Sequence, residues 1–198
     1  MSRHAFFEKL AGEADPLAFK PEHEPRLSRL RHRLGTLRGK RVLEPGCGAG
    51  PLTRRLAEWV GPGGCVLALD PCPGMLSQCQ RNVEEHSHVR MLRSKIEEAE
   101  LDPRAWDLIL CFRLYPHLED AAVFLQRCAH WLADGGELVI ANLEGSAQLN
   151  DIHARLSGVR HDHMPSGESL RARLQGDGWR VTDVVDEPEE FFLRACRS

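Results

Sequence analysis

One stretch constrains this chain more than any other. Val42-Leu43-Glu44-Pro45-Gly46-Cys47-Gly48-Ala49-Gly50 begins as a short apolar strand and becomes a turn with glycine at every second position. Pro51 follows, suited to the first turn of a helix because its missing N–H costs nothing there. Leu52, Leu56 and Val60 then recur at helical spacing. A strand, a glycine turn and a helix in that order let a ligand approach the backbone while the helix N–H groups point at it.

The rest of the pattern extends this unit. Apolar runs predict strands at 41–44, 65–69, 89–92, 106–112 and 137–142. The leucine stripe Leu27, Leu30, Leu34, Leu37 predicts a helix over 24–37, and another is expected at about 119–133, closed by Asp134-Gly135-Gly136. Alternating strands and helices imply right-handed crossovers and an α/β fold, a mainly parallel sheet with helices on both faces. Ser166 is placed to cap a helix over 167–175. The strands expected at 179–185 and 191–196 are joined by a linker too short for a parallel crossover, so they form a C-terminal antiparallel hairpin. Seven strands are expected in all.

Two features narrow what the glycine turn holds. Its spacing is GxGxG, whereas the dinucleotide fingerprint GxGxxG needs glycine where Pro51 stands. Glu44 also puts a carboxylate just before the glycines. Beside a pyrophosphate that charge repels; beside a cationic ligand it attracts, by about 4 kcal/mol at 4 Å and an effective dielectric near 20. Asp70, at the end of the second strand, can accept the hydroxyls of a ribose.

Four segments resemble the successive motifs of class I S-adenosylmethionine-dependent methyltransferases. They are Glu44 to Gly50, Leu69-Asp70-Pro71-Cys72-Pro73-Gly74-Met75-Leu76, Trp106 to Cys111, and Ala133-Asp134-Gly135-Gly136-Glu137-Leu138-Val139-Ile140. The chain is similar, within these, to the small-molecule group that includes the quinone-biosynthesis enzymes. The resemblance implies a Rossmann-like sheet with a reversed last strand. It also implies one methyltransferase domain over 1–198, with a helical cap over 1–37 and the core over 38–198. S-adenosylmethionine is the implied cofactor, and Glu44, Gly46, Cys47, Gly48 and Gly50 fall at its methionine end. Asp70 would take the ribose, with Pro71 and Met75 near the adenine. Ile96 and Glu97 would meet the ring, although Lys95 stands where the family often has an acid. Cys111 and Phe112 would lie under the methionine portion.

The acceptor side is expected in loops beyond the carboxyl ends of the strands. Arg113, Tyr115 and His117 follow the fourth strand, and His117 is the candidate base because imidazole titrates near neutrality. The loop lacks the Asn/Asp-Pro-Pro-Tyr motif that amino-methylating relatives use. His153, His161 and His163 follow the fifth strand as candidate acceptor contacts; the HxH spacing would also suit a metal, but no metal site is assigned. Phe6, Phe7 and Leu10 resemble a helix that closes over the cofactor.

Composition bears on partners. A net charge of −3 gives no general attraction to nucleic acid or an anionic membrane. The basic run over 20–41 lies opposite a leucine stripe without stacking aromatics, as on a solvated helix face. No apolar stretch approaches a membrane span, and the polar start is unlike a signal peptide. Seven scattered cysteines without a CxxC pair suggest a reduced, cytoplasmic protein. The expected function is methyl transfer to a small organic acceptor. A non-catalytic S-adenosylmethionine-binding protein and an RNA methyltransferase are the alternatives, and the sequence is silent on oligomeric state.

Overall fold

The computed structural model describes residues 3–14 and 17–197. Seven strands form one sheet: β1 (Arg41–Pro45), β2 (Cys65–Leu69), β3 (Val89–Leu92), β4 (Trp106–Phe112), β5 (Leu132–Asn142), β6 (Trp179–Glu187) and β7 (Glu190–Arg197), in the order β3-β2-β1-β4-β5-β7-β6. β1 to β5 are parallel, and β7 runs antiparallel to both β5 and β6. The helices are α1 (Arg3–Leu10), α2 (Glu24–Leu34), α3 (Pro51–Val60), α4 (Pro73–Asn82), α5 (Ala121–Trp131), α6 (Ser146–Ala154) and α7 (Gly167–Gly176). This is the expected Rossmann-like architecture. Among the described residues no helix is long and apolar enough to cross a membrane.

The central strands read as continuous apolar runs because both faces of the sheet are covered. Their side chains alternate between two cores. Val42, Leu108, Leu110, Phe112 and Val139 pack with Leu27, Leu30 and Leu34 of α2 and with Leu52, Leu56 and Val60 of α3. Leu43, Ile109, Cys111, Leu138 and Ile140 face the other way, onto Phe124, Cys128 and Trp131 of α5 and Leu170 and Leu174 of α7. Strand order reverses between β1 and β4, and the crevice above that reversal is where such sheets bind ligands.

Two element boundaries depart from the sequence reading. α2 stops at Leu34 because Gly35 turns the backbone left-handed (φ 66°), although Leu37 is still fully buried beyond it. β5 begins at Leu132 rather than Glu137: Leu132 pairs with Trp106, the register shifts, and pairing resumes at Leu108↔Glu137. Asp134-Gly135-Gly136 is therefore an irregularity inside a strand rather than a helix stop. Gly135 takes φ 75°, and a side chain on Gly136 would sit 2.8 Å from the carbonyl of Trp106. α6 occupies residues that the sequence pattern assigns to a loop.

Candidate functional site

A cleft of about 590 Å³ opens over the carboxyl ends of β1 and β4, within the roughly 300–1,000 Å³ usual for small-molecule sites. Its floor is the turn from β1 to α3. Gly46, Gly48 and Gly50 all have left-handed backbone, at φ 69°, 55° and 85°. Gly46 and Gly48 line the cleft with Cys47, but Gly50 does not. Gly50 is the residue before α3, and its Cα faces α4, where a side chain would sit 2.6 Å from Cys79 Sγ. It shapes the turn without forming part of the wall.

Asp70 joins the two loops of the floor. Its Oδ2 accepts the Gly48 N–H and its Oδ1 the Cys72 N–H, each at 2.9 Å. Each oxygen keeps a second lone pair for a ligand hydroxyl. Desolvation raises its pKa, against the lowering effect of those two N–H groups. Pro71, Cys72 and Met75 continue this wall, and Ile96 and Glu97 stand on it with Arg93, Ser94 and Lys95. Lys95 is held by Glu119 at 2.8 Å, and Glu97 accepts the Glu119 N–H at 2.8 Å.

Glu44 is the unusual charge. It is buried, it lines the cleft, and its Oε2 has no hydrogen-bond partner. Burial pushes its carboxyl up to about 8, with hydrogen bonding to Thr53 acting in the opposite direction. A folded-state pKa above the unfolded value means that the native state holds the extra proton, so stability falls as pH rises from about 4.5 to about 8. Glu44→Gln should therefore stabilise the ligand-free protein relative to wild type. The gain should grow between pH 5 and pH 8 to on the order of 2–4 kcal/mol. Urea denaturation of both proteins at the two pH values measures it, and a pH-independent difference contradicts the buried-acid reading.

The acceptor-side candidates separate. Arg113, His117 and His153 line the cleft, as does Phe112. Arg113 has left-handed backbone (φ 54°), and its guanidinium makes no hydrogen bond or ion pair among the described residues. Cys111 is fully buried and points into the core under α5, because strand alternation turns it away from Phe112. Tyr115 packs edge-on against Phe124 at 6.4 Å and is likewise off the cleft wall. His161 and His163 are exposed: one accepts from Arg160 at 2.9 Å, and the other lies 3.2 Å from Asn150 Nδ2. No three His, Cys, Asp or Glu residues gather as metal ligands among the described residues.

The residue between those two histidines joins the site although the histidine spacing does not point to it. Burial alternates along His161, Asp162, His163 and Met164, so Asp162 turns inward where its neighbours turn out. Its carboxylate meets His117 Nδ1 at 2.6 Å and Arg3 Nε at 2.8 Å. The alternation of an extended segment was the available signal. Arg3 also belongs to α1, which roofs the cleft. Phe7 and Leu10 pack on Met75 and Ala49, Gln78 donates to the Ala11 carbonyl at 2.7 Å, and Phe6 covers Gly158.

Residues 42–136 match the methyltransferase-domain family. The chain is 33% identical over 111 residues to the ubiquinone biosynthesis O-methyltransferase of Bradyrhizobium diazoefficiens, covering 56% of this chain and 42% of that protein. It is 39% identical over 120 residues to the biotin biosynthesis bifunctional protein BioCD of Bordetella avium, covering 59% of this chain and 25% of that one. The chain thus spans half the length of these relatives or less. Among solved structures, the N-methyltransferase NodS of Bradyrhizobium japonicum superposes with a TM-score of 0.76 at 20% identity over 98% of each chain. A SAM-dependent methyltransferase of Aquifex aeolicus does so with 0.72 at 22% identity over 97% of each. Those two structures speak to the fold. The sequence match covers the glycine turn and the strands beneath the cleft, and over residues 42–136 this chain is similar to S-adenosylmethionine-dependent methyltransferases of class I.

Proposed function

We propose that this chain transfers a methyl group from S-adenosylmethionine to the oxygen of a small organic acceptor, residues 1–198 acting as one methyltransferase domain. The observation that carries the reading is the partnerless Glu44 oxygen at a glycine-lined floor. A buried carboxylate without a partner is costly, and the ammonium of the cofactor's methionine end would satisfy it. The same floor fits the rest of the cofactor: Gly46 and Gly48 line it with bare backbone, Asp70 has free lone pairs for ribose hydroxyls, and Ile96 and Met75 offer apolar surface to a ring. When bound, S-adenosylmethionine supplies a methyl group activated by a positively charged sulfur. The chain's contribution is orientation, which can be worth roughly 7–11 kcal/mol.

Oxygen is favoured as the accepting atom by the names of several relatives, which are O-methyltransferases. A small acceptor follows from the roofed cleft. Arg113 is free to take a polar or anionic group of the acceptor. RNA is disfavoured because much of the basic face of α2 is matched internally: Arg26 pairs with Glu144 and Glu189, and Arg33 with Asp183 and Glu190. Radiolabelled methyl transfer to a panel of small phenols, alcohols, thiols and amines, with RNA alongside, tests this. Label in hydroxyl compounds alone is expected; label in RNA, or in no small molecule, contradicts it.

A further inference from the structure

Four segments meet around one imidazole at the acceptor end of the cleft. His117 closes a short 3₁₀ turn (Tyr115–His117) after β4. Its ring lies between Phe7 of α1, edge-on at 5.4 Å, and His153 of α6 at 5.0 Å. Nδ1 is 2.6 Å from Oδ2 of Asp162, which comes from the segment between α6 and α7. Arg3 of α1 grips that carboxylate through Nη2 to Oδ1 at 2.5 Å and Nε to Oδ2 at 2.8 Å. Its Nη1 donates to the His117 carbonyl at 2.8 Å. The Asp162 carbonyl is itself 2.8 Å from His153 Nδ1.

This wiring decides the tautomer. An ionised carboxylate can only accept, so His117 Nδ1 must carry the hydrogen. Nε2 is then left with its lone pair and has no partner among the described residues, in a side chain that lines the cleft. α1 is held by the Arg3–Asp162 pair, by Phe6 on Gly158, by Phe7 and Leu10 on Met75 and Ala49, and by the Phe7–His117 ring contact. None of these uses the hydrogen bond between His117 Nδ1 and Asp162.

We propose that His117 is the proton acceptor of the reaction, held in its working tautomer by Asp162 and Arg3 as positioning residues, and that the methyl acceptor is a hydroxyl compound. This rests on the methyltransferase reading above. As the acceptor oxygen forms its bond to the methyl carbon, the carbon–sulfur bond breaks and its electron pair neutralises the sulfonium. The hydroxyl proton passes to His117 Nε2. Asp162 stabilises the resulting imidazolium, which returns the proton to water once the methyl ether leaves. Burial pushes the free His117 down to about 4, against the raising effect of Asp162, while His153 and Arg3 lower it further. The ring is therefore neutral at pH 7. Arg3 also ties the carboxylate that sets this tautomer to α1, the helix that roofs the cleft.

The test reads tautomer and turnover separately. In the full-length, ligand-free protein with ¹⁵N-labelled histidine, His117 should show the Nδ1–H form. Asp162→Asn should turn it to Nε2–H, because an amide can donate to Nδ1. The aspartate of serine-protease triads works in the same way, and its change to asparagine leaves the wrong tautomer there. With labelled S-adenosylmethionine and phenol, catechol and 4-hydroxybenzoate as probes, Asp162→Asn and His117→Gln should each lower kcat by about 10²–10⁴-fold. S-adenosylhomocysteine affinity should stay within about twofold, as expected for groups that act only in the transition state. His117→Gln leaves the Arg3–Asp162 pair intact and controls for loss of the α1 anchor. Nε2–H in the wild type, unchanged kcat in either variant, or methylation of thiols or amines with none of the phenols would each overturn the proposal. Failure to bind S-adenosylhomocysteine would instead sink the methyltransferase reading, and the tautomer measurement would still decide how Asp162 sets His117.

Discussion

Valine at position 48 is expected to abolish cofactor binding while leaving the protein folded. Gly48 stands on the cleft floor at φ 55°, where a side chain costs roughly 1–2 kcal/mol of backbone strain. The first new carbon would approach Leu17 Cδ1 to 2.9 Å, and that atom is the end of a flexible side chain that can move aside. The fold thus tolerates the change better than the ligand does. The added branches occupy space beside the Gly48 N–H that Asp70 organises. S-adenosylhomocysteine affinity should drop at least about 100-fold, equivalent to about 2.7 kcal/mol. Titration calorimetry with a circular-dichroism check of folding measures this. Near-wild-type affinity would place the ligand elsewhere.

The same substitution two residues along should do the opposite kind of damage. Gly50→Val is expected to destabilise the protein itself, by about 3 kcal/mol or more, adding backbone strain to overpacking. Gly50 has φ 85°, and its new carbon would lie 2.6 Å from Cys79 Sγ and 3.0 Å from Cys79 Cα. A main-chain atom of α4 cannot swing away as the tip of Leu17 can. The midpoint of urea denaturation should fall sharply for Gly50→Val and only modestly for Gly48→Val. Equal losses in the two variants would mean that the turn works as one undivided element.

The two glycines show how far the sequence could be read. The GxGxG spacing identified the turn, but not which glycine faces ligand and which faces α4; that depends on where α4 packs. The strands were legible because β1, β2, β4 and the end of β5 are buried on both faces and read as unbroken apolar runs. The start of β5 was hidden by Asp134-Gly135-Gly136, which looks like a helix stop and is accommodated as a strand irregularity. α6 is not legible in the sequence because its apolar positions form no clear stripe. At the site, Glu44 and Asp70 were visible as charges of unusual placement. Asp162 lies between two solvent-facing histidines, and its partner Arg3 is 159 positions away in the chain, so no local pattern joins them.

Glu44, on this reading, receives a cationic group of the cofactor, and the proton it carries makes that contact countable. With its carboxyl near 8 in the free protein, Glu44 is largely protonated at pH 7 and must ionise to meet an ammonium. Calorimetric titration of S-adenosylhomocysteine at pH 7, in two buffers of different protonation heat, counts that proton. Release of most of one proton is expected with the wild type. Glu44→Gln should release none and bind about 10–150-fold more weakly, the scale of a lost hydrogen bond to a charged group. Tight binding without proton release, unchanged in Glu44→Gln, would show that Glu44 does not meet the cofactor's charge.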